Sequence, residues 1–154
     1  MAQRWRAVGV LAIALFAVNV VARLVIRLGF DGDDSAADRV SLGMFIVIGL
    51  MLAGVAFVWG ERRRLGSWAG DVAAAIGVAV GLTVLIGPLL VGNNPFAGGG
   101  STFFAQIGLY LVVTTIGTML GYLLLVTLGR DYRSRNLQRY AETSSAKPRR
   151  VVRR

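Results

Sequence analysis

The sequence contains no cysteine and no histidine, and only 16% of its 154 residues are charged. Without cysteine there are no disulfides, thiolate nucleophiles or cysteine-ligated zinc and iron–sulfur centres. Without histidine the chain lacks the imidazole that most often binds metals and the commonest general base near neutral pH. We therefore expect no catalytic residues, no metal site and no cofactor, and the sequence does not indicate an enzyme.

Apolar residues dominate instead: 55% of the chain is hydrophobic and its mean hydropathy is +0.64. A membrane-spanning helix needs about 20 mostly apolar residues. Strict alternation of apolar and polar residues is absent, which disfavours a membrane barrel. Short connections favour antiparallel sequential neighbours, so we predict an all-α, four-helix transmembrane bundle of up-down-up-down topology. Its spans are residues 7–28, 40–60, 68–91 and 103–128.

The distribution of basic residues predicts how the bundle is oriented. Of 17 Lys and Arg residues, only Arg23, Arg27 and Arg39 lie on the side of the predicted membrane opposite the two termini. Because basic residues concentrate in cytoplasmic segments, both termini are predicted to be cytoplasmic. We therefore predict a multi-pass protein of a bacterial plasma membrane. An aromatic belt at the cytoplasmic boundary is predicted from Trp5, Trp59 and Trp68.

The first span has an alternative interpretation as a cleaved signal peptide. A charged start precedes an apolar core, and Val20 with Ala22 offers a small-residue cleavage site. The apolar stretch continues beyond that site to Leu28, which favours a retained helix.

Two regions follow from these patterns, a membrane domain over residues 1–128 and a basic cytoplasmic tail over 129–154. Residues 130–143 are expected to extend the fourth helix, and the remainder is expected to be disordered. Clustered basic residues beside a membrane attract anionic lipids of the inner leaflet. The lack of interleaved aromatic residues at the end of the tail disfavours nucleic acid as a partner. The predicted headgroup contacts are Arg62, Arg63, Arg64, Arg149, Arg150, Arg153 and Arg154.

Three polar residues of the first span recur every four positions, so Asn19, Arg23 and Arg27 share one helix face. A charge within the membrane is costly and often functional. One interpretation is an anion or lipid-phosphate site, or a contact with a partner's carboxylate. In the other, the two arginines snorkel to the surface, where acids could pair with them, and Asn19 bonds between helices. Those acids are Asp31, Asp33, Asp34 and Asp38.

The third span contains an acid and a proline whose positions suggest structural roles. Asp71 is expected in the first turn of the helix, behind Ser67 as N-cap and facing Arg62–Arg64. Pro88 removes the hydrogen bond to the Val84 carbonyl and is expected to kink the helix.

Glycine pairs mark helices three and four as packing elements. Gly77 with Gly81, and Gly117 with Gly121, form GxxxG patterns, which let helix backbones approach closely. Packing inside the bundle and a seam with a second copy or another subunit both fit the pattern. Nearby threonine hydroxyls are expected to form hydrogen bonds across helices.

Four segments, VGVLAIALF, WGERRRLGSW, LGRDYRSR and KPRRVVRR, together resemble a small integral membrane protein of high-GC Gram-positive (actinobacterial) type, of unknown function. The resemblance extends over nearly the whole chain and implies no mechanism. Short loops, small-residue faces and a basic tail favour an accessory, assembly or interaction subunit of a larger membrane complex. Its partners would be another membrane protein or a second copy. The alternative is a small oligomeric channel or transporter for an anion or lipid.

Overall fold

The computed structural model describes residues 2–30, 34–90, 92, 94, 96 and 99–145, and these contain helices but no strand. Four helices are long and apolar enough to cross a membrane, which is consistent with a multi-pass membrane protein. Each coincides with one of the apolar stretches predicted above. The helices are α1 (Ala2–Gly29), α2 (Asp34–Arg62), α3 (Leu65–Leu90), α4 (Gly99–Thr127) and the polar α5 (Tyr132–Ser145).

Two helix pairs organise the packing. The helix α2 runs closely along α4, α1 packs along α3, and α1 also contacts α2. The helices α3 and α4 are consecutive in the sequence but touch each other much less. Short connections therefore did not make every sequential pair close neighbours, and a groove separates α3 from α4.

The core lies where these helices meet. Leu15, Ile48, Leu52, Trp68 and Leu125 are among its fully buried side chains. Many other large apolar side chains are exposed on the outside of the bundle. Lipid tails rather than water suit such a surface, since they are as apolar as these side chains.

The close pairing of α2 with α4 depends on Gly117 and Gly121. A Cβ atom at Gly117 would lie 2.6 Å from the Gly49 carbonyl oxygen, and one at Gly121 would lie 2.6 Å from the Ala53 Cα. Any larger residue would push the two backbones apart.

The threonines beside these glycines do not bridge helices, contrary to the expectation. The Thr114 hydroxyl donates to the Tyr110 carbonyl at 2.9 Å, and the Thr118 hydroxyl donates to the Thr114 carbonyl at 2.7 Å. Both bonds lie within α4, since a threonine hydroxyl reaches the carbonyl one turn earlier more readily than a neighbouring helix.

The outer part of α3 contains a π-helical turn, Leu82–Ile86, just before Pro88. Gly87 donates its N–H to the Leu82 carbonyl, five residues earlier, instead of to the residue four earlier. Pro88 has no N–H, so the regular ladder is already interrupted here. The sequence predicted that the helix is irregular near Pro88, but it did not predict a π-helical turn.

Two predicted details at the helix ends are wrong. The helix α3 begins at Leu65, with Arg64 in an extended conformation at the N-cap position and no side-chain cap. Ser67 is therefore inside the first turn, where its hydroxyl donates to the Arg64 carbonyl at 2.9 Å. Asp71 consequently lies in the second turn of α3, because the helix starts earlier than its apolar stretch.

Residues 130–143 do not continue the fourth helix. Gly129 has a positive φ of 62°, which ends α4, and α5 starts separately at Tyr132. The Asp131 carboxylate caps the new helix by accepting from the N–H of Arg133 at 3.1 Å and of Ser134 at 3.4 Å. Ser144 and Ser145, which were predicted to begin the disordered remainder, still belong to α5, and the rest of that segment lies outside the described residues.

Candidate functional site

An ion-pair network joins the helix ends at one end of the bundle, which we call the basic end. Asp71 of α3 is buried, and its Oδ1 lies 2.6 Å from Nε of Arg4, near the start of α1. Its Oδ2 lies 3.3 Å from an Nη atom of Arg63, in the turn between α2 and α3. The expected pairing of Asp71 with the arginines of this turn thus forms through Arg63. The contact with Arg4 was not anticipated.

A second network attaches α5 to the same end. Glu61, in the last turn of α2, accepts from Arg130 at 3.0 Å and also from Arg135. These contacts bring the end of α2, the residues after α4 and the start of α5 together at the basic end.

The arginines predicted to contact headgroups have different surroundings. Arg62 is exposed. Arg63 lies over the Trp59 ring as well as beside Asp71, and Arg64 lies over the Tyr132 ring, 5.7 Å from its centroid. The remaining members of the set, Arg149, Arg150, Arg153 and Arg154, lie outside the described residues.

Trp68 does not belong to a lipid-facing belt. Only 2% of its surface is exposed, and its ring centroid lies 5.9 Å from that of Tyr122. Trp5, by contrast, is 68% exposed. The position of Trp68 at the start of a span is equally compatible with the core, which the sequence pattern alone does not distinguish from the belt.

A polar cluster lies in the other half of the bundle, around Asn19 and Arg23 of α1. The buried Asn19 side chain accepts from Nε of Arg23 at 2.8 Å and donates to Sδ of Met44, on α2, at 3.2 Å. A Cβ atom at Gly87 would lie 3.1 Å from the Arg23 Nε, so this glycine allows α3 to approach the cluster. Asn19 thus bonds between helices, and Arg23 is held by Asn19.

Within the described residues, no carboxylate forms an ion pair with Arg23 or Arg27. Of the four acids considered for this pairing, Asp34 and Asp38 therefore do not supply it, and Asp31 and Asp33 lie outside the described residues. Arg27 is exposed near the end of α1 and does not join the Asn19 cluster.

Two buried hydroxyls are also present in the bundle. Thr83, in the π-helical turn, neighbours Tyr110 of α4. Neither hydroxyl has a hydrogen bond of normal geometry within the described residues. Buried polar atoms of this kind usually have partners.

The two GxxxG patterns have opposite environments. Gly117 and Gly121 lie against α2, whereas no described residue approaches the Cβ positions of Gly77 and Gly81 within 4 Å. Among the described residues, Gly77 and Gly81 therefore make no close contact of the kind that Gly117 and Gly121 make. Gly77 is exposed and Gly81 is half-buried.

Sequence reasoning missed several residues with defined structural roles, among them Arg4, Glu61 and Asp131. The sequence indicated only that Arg4 is one of the basic residues before the first span. Its contact with Asp71 depends on the pairing of α1 with α3. Asp131 carried a usable signal, since an aspartate after a glycine and before a polar segment is typical of an N-cap.

The fold and these contacts define an all-helical chain whose four long helices are suited to a membrane. Within the described residues, no three His, Cys, Asp or Glu side chains gather as a metal site would require. The chain matches no protein-family model, and no curated protein or solved structure is detectably similar to it. The resemblance to a small actinobacterial membrane protein therefore stays a prediction.

Proposed function

We propose that the chain is a non-catalytic membrane subunit that binds another membrane protein through the outward face of α3. The observation that carries the proposal is an exposed row of small residues, Gly70, Ala74 and Gly77, which Gly81 continues. With 3.6 residues per turn, this row lies opposite the buried row of the same helix. The buried row is Trp68, Val72, Ala75 and Ala79.

Small residues matter on a lipid-facing surface because helices in a membrane associate through close packing and not through exclusion of water. The chain already makes one such contact, where Gly117 and Gly121 meet Gly49 and Ala53. The outward row of α3 has the same spacing and no partner within the described residues. A helix of another subunit can approach it as closely as α2 approaches α4.

The proposed setting is a bacterial plasma membrane, which the helices cross alternately with both termini in the cytoplasm. Support comes from the excess of basic residues at the basic end. There the arginines of the α2–α3 turn and the tail would also contact anionic headgroups.

Co-purification tests the proposal directly. The full chain, tagged at its C-terminus, is extracted from native membranes in mild detergent, and the mass and composition of the tagged species are measured. We expect a larger membrane protein at fixed stoichiometry, which Ala74→Phe releases and Leu123→Phe, on the exposed side of α4, does not. A tagged species that contains only a monomer would contradict the proposal. A homo-oligomer would favour the second candidate function.

The second candidate function is a small oligomeric channel or transporter for an anion or lipid. The observation in its favour is Arg23, which is held by Asn19 and has no carboxylate partner among the described residues. A guanidinium in this position can attract an anion or a lipid phosphate.

Flux through reconstituted vesicles separates the two functions. For a channel, Arg23→Ala abolishes anion flux and Arg27→Ala, which removes an exposed arginine of the same helix, has a much smaller effect. Flux that is absent from the unmodified protein, or is unchanged in Arg23→Ala, would exclude Arg23 as a conduction site.

A further inference from the structure

A large cavity lies at the basic end, between the α2–α3 turn and the first turns of α5. Its volume is about 890 Å³, within the range of small-molecule sites. The turn contributes Arg63 and Arg64, and α5 contributes Arg133 and Asn136. Because α5 is a separate helix that starts after Gly129, it forms one wall of the cavity instead of extending away from the bundle.

The charge of the cavity is predominantly positive. Three guanidinium groups line it, and within the described residues Arg64 and Arg133 form no ion pair. Arg63 is held by Asp71 at 3.3 Å. Asp131 also lines the cavity and contributes a carboxylate to it. The cavity therefore suits an anionic group, with one acceptor beside it.

Two buried polar atoms of residues that line the cavity have no hydrogen-bond partner within the described residues. One is the donor Nε1 of Trp68, and the other is the acceptor Oδ1 of Asp131. Leaving such atoms unpaired costs free energy, so buried groups usually have partners. Trp68 Nε1 lies beside Gly60 of α2, so only the Asp131 oxygen is taken as a ligand contact, for which a hydroxyl donor on the ligand would be the partner.

An apolar groove between α3 and α4 borders the cavity. Leu65, Trp68 and Tyr122 line both spaces. The groove has a volume of about 260 Å³, and Val72, Ala73, Ile76 and Met119 are among its walls. From Leu65 to Ile76 it follows α3 for about 16 Å at the usual rise per residue. An apolar chain of membrane-lipid length fits such a path better than a soluble ligand does.

We propose that this cavity and groove bind one anionic phospholipid with a hydroxyl-bearing head group, of the phosphatidylglycerol type. Its phosphate lies between Arg64 and Arg133, its head-group hydroxyl donates to Asp131, and one acyl chain lies in the groove between α3 and α4. This site is distinct from the outward face of α3, so the lipid proposal and the proposed partner contact can be tested separately.

The test uses the full chain, delipidated in detergent, and a titration with phosphatidylglycerol followed by native mass spectrometry. We expect one saturable adduct, and phosphatidylcholine should bind more weakly. The double variant R64A/R133A should weaken binding about tenfold or more, since two charge-assisted contacts are lost. The matched control R62A/R139A removes the same charge from positions that do not line the cavity, and it should leave the adduct nearly unchanged.

A second pair of variants keeps the test independent of charge. Ala73→Phe fills the groove, whereas Ala74→Phe adds the same bulk on the opposite, outward face of α3. Only Ala73→Phe should weaken lipid binding, and circular dichroism identifies a variant that has failed to fold. Ala74→Phe in turn disrupts the proposed partner contact, so the two proposals fail in different variants.

Three results would overturn the proposal. The first is an equal loss of binding in both charge variants, which would indicate general attraction to the basic surface. The second is the absence of a saturable adduct. The third is displacement of phosphatidylglycerol by inorganic phosphate at comparable concentration, which would indicate a site for free phosphate.

Discussion

Arg4 and Asp71 are 67 positions apart in the sequence, and they form an ion pair between α1 and α3 at the basic end. Two nitrogens of the Arg4 guanidinium, Nε and an Nη atom, each lie 2.6 Å from the Asp71 Oδ1, while Arg63 contacts the other carboxylate oxygen. The carboxylate is buried and both arginines are substantially exposed. One aspartate thus joins the first helix, the third helix and the turn before it.

The two ion pairs of Asp71 predict which of two substitutions destabilises the protein more. Asp71→Ala should lower the midpoint of thermal unfolding in detergent more than Arg4→Ala does. The first change removes both ion pairs, whereas the second leaves Asp71 with Arg63. Equal effects of the two changes would mean that Arg63 contributes nothing to the network.

The packing of α2 against α4 predicts that alanine substitutions at two glycines change the stability by different amounts. Gly121→Ala should destabilise the protein by about 1–3 kcal/mol, a typical cost of overpacking, because its Cβ would overlap the Ala53 backbone. Gly77→Ala should leave the isolated chain nearly unchanged, since the space around Gly77 is open. Thermal unfolding of the two variants checks this. A loss of stability in Gly77→Ala as large as that in Gly121→Ala would contradict the packing described above.

The Asp131 cap predicts a dependence on pH. Hydrogen bonds from the Ser134 side chain and from the N–H groups of Ser134 and Arg133 lower the pKa of Asp131 below its ordinary value of 3.8, although burial opposes them. A carboxylate with a lowered pKa in the folded state stabilises the fold above its ordinary pKa. That contribution is lost as the pH falls through the lowered value.

Two substitutions separate the charge of this cap from its hydrogen bonds. Asp131→Ala should cost about 1 kcal/mol at neutral pH. Asp131→Asn should retain much of the cap and remove its acid dependence. Amide exchange along α5 in the full chain measures both effects, and identical exchange in all three proteins would show that Asp131 does not cap α5.

The proposed orientation predicts which residues are accessible from outside the cell. Because the chain lacks cysteine, a single introduced cysteine is the one thiol of the purified protein that can carry the label. A membrane-impermeant maleimide should label Ser101→Cys in intact cells, and it should label Ser144→Cys only after permeabilisation. The reverse pattern would mean that the bundle is inverted.

The four long helices were predictable because length and apolar composition alone determine them, and each coincides with a stretch identified from the sequence. Which helices pair was not predictable. The pairs Gly77/Gly81 and Gly117/Gly121 are the same motif, yet within the part of the chain that the structure describes only the second lies closely against another helix. The two pairs differ because of how the helices pack in the tertiary structure, which the local sequence pattern does not indicate.

Some of the polar contacts were predictable from the sequence and others were not. The link between Asn19 and Arg23 follows from their spacing on one helix. The contacts Arg4–Asp71 and Glu61–Arg130 join distant parts of the chain and depend on the packing of whole helices. The cavity at the basic end also depends on the break at Gly129, which continuous helical periodicity concealed.

Cysteine cross-linking at the outward face of α3 tests the central claim most directly. Gly77→Cys and the control Leu123→Cys, on the exposed side of α4, are expressed separately in native membranes and treated with a photoactivatable thiol reagent. We predict that Gly77→Cys yields one discrete heavier species containing a different membrane protein, and that Leu123→Cys does not. No adduct at Gly77→Cys, or the same adducts at both positions, would contradict the account.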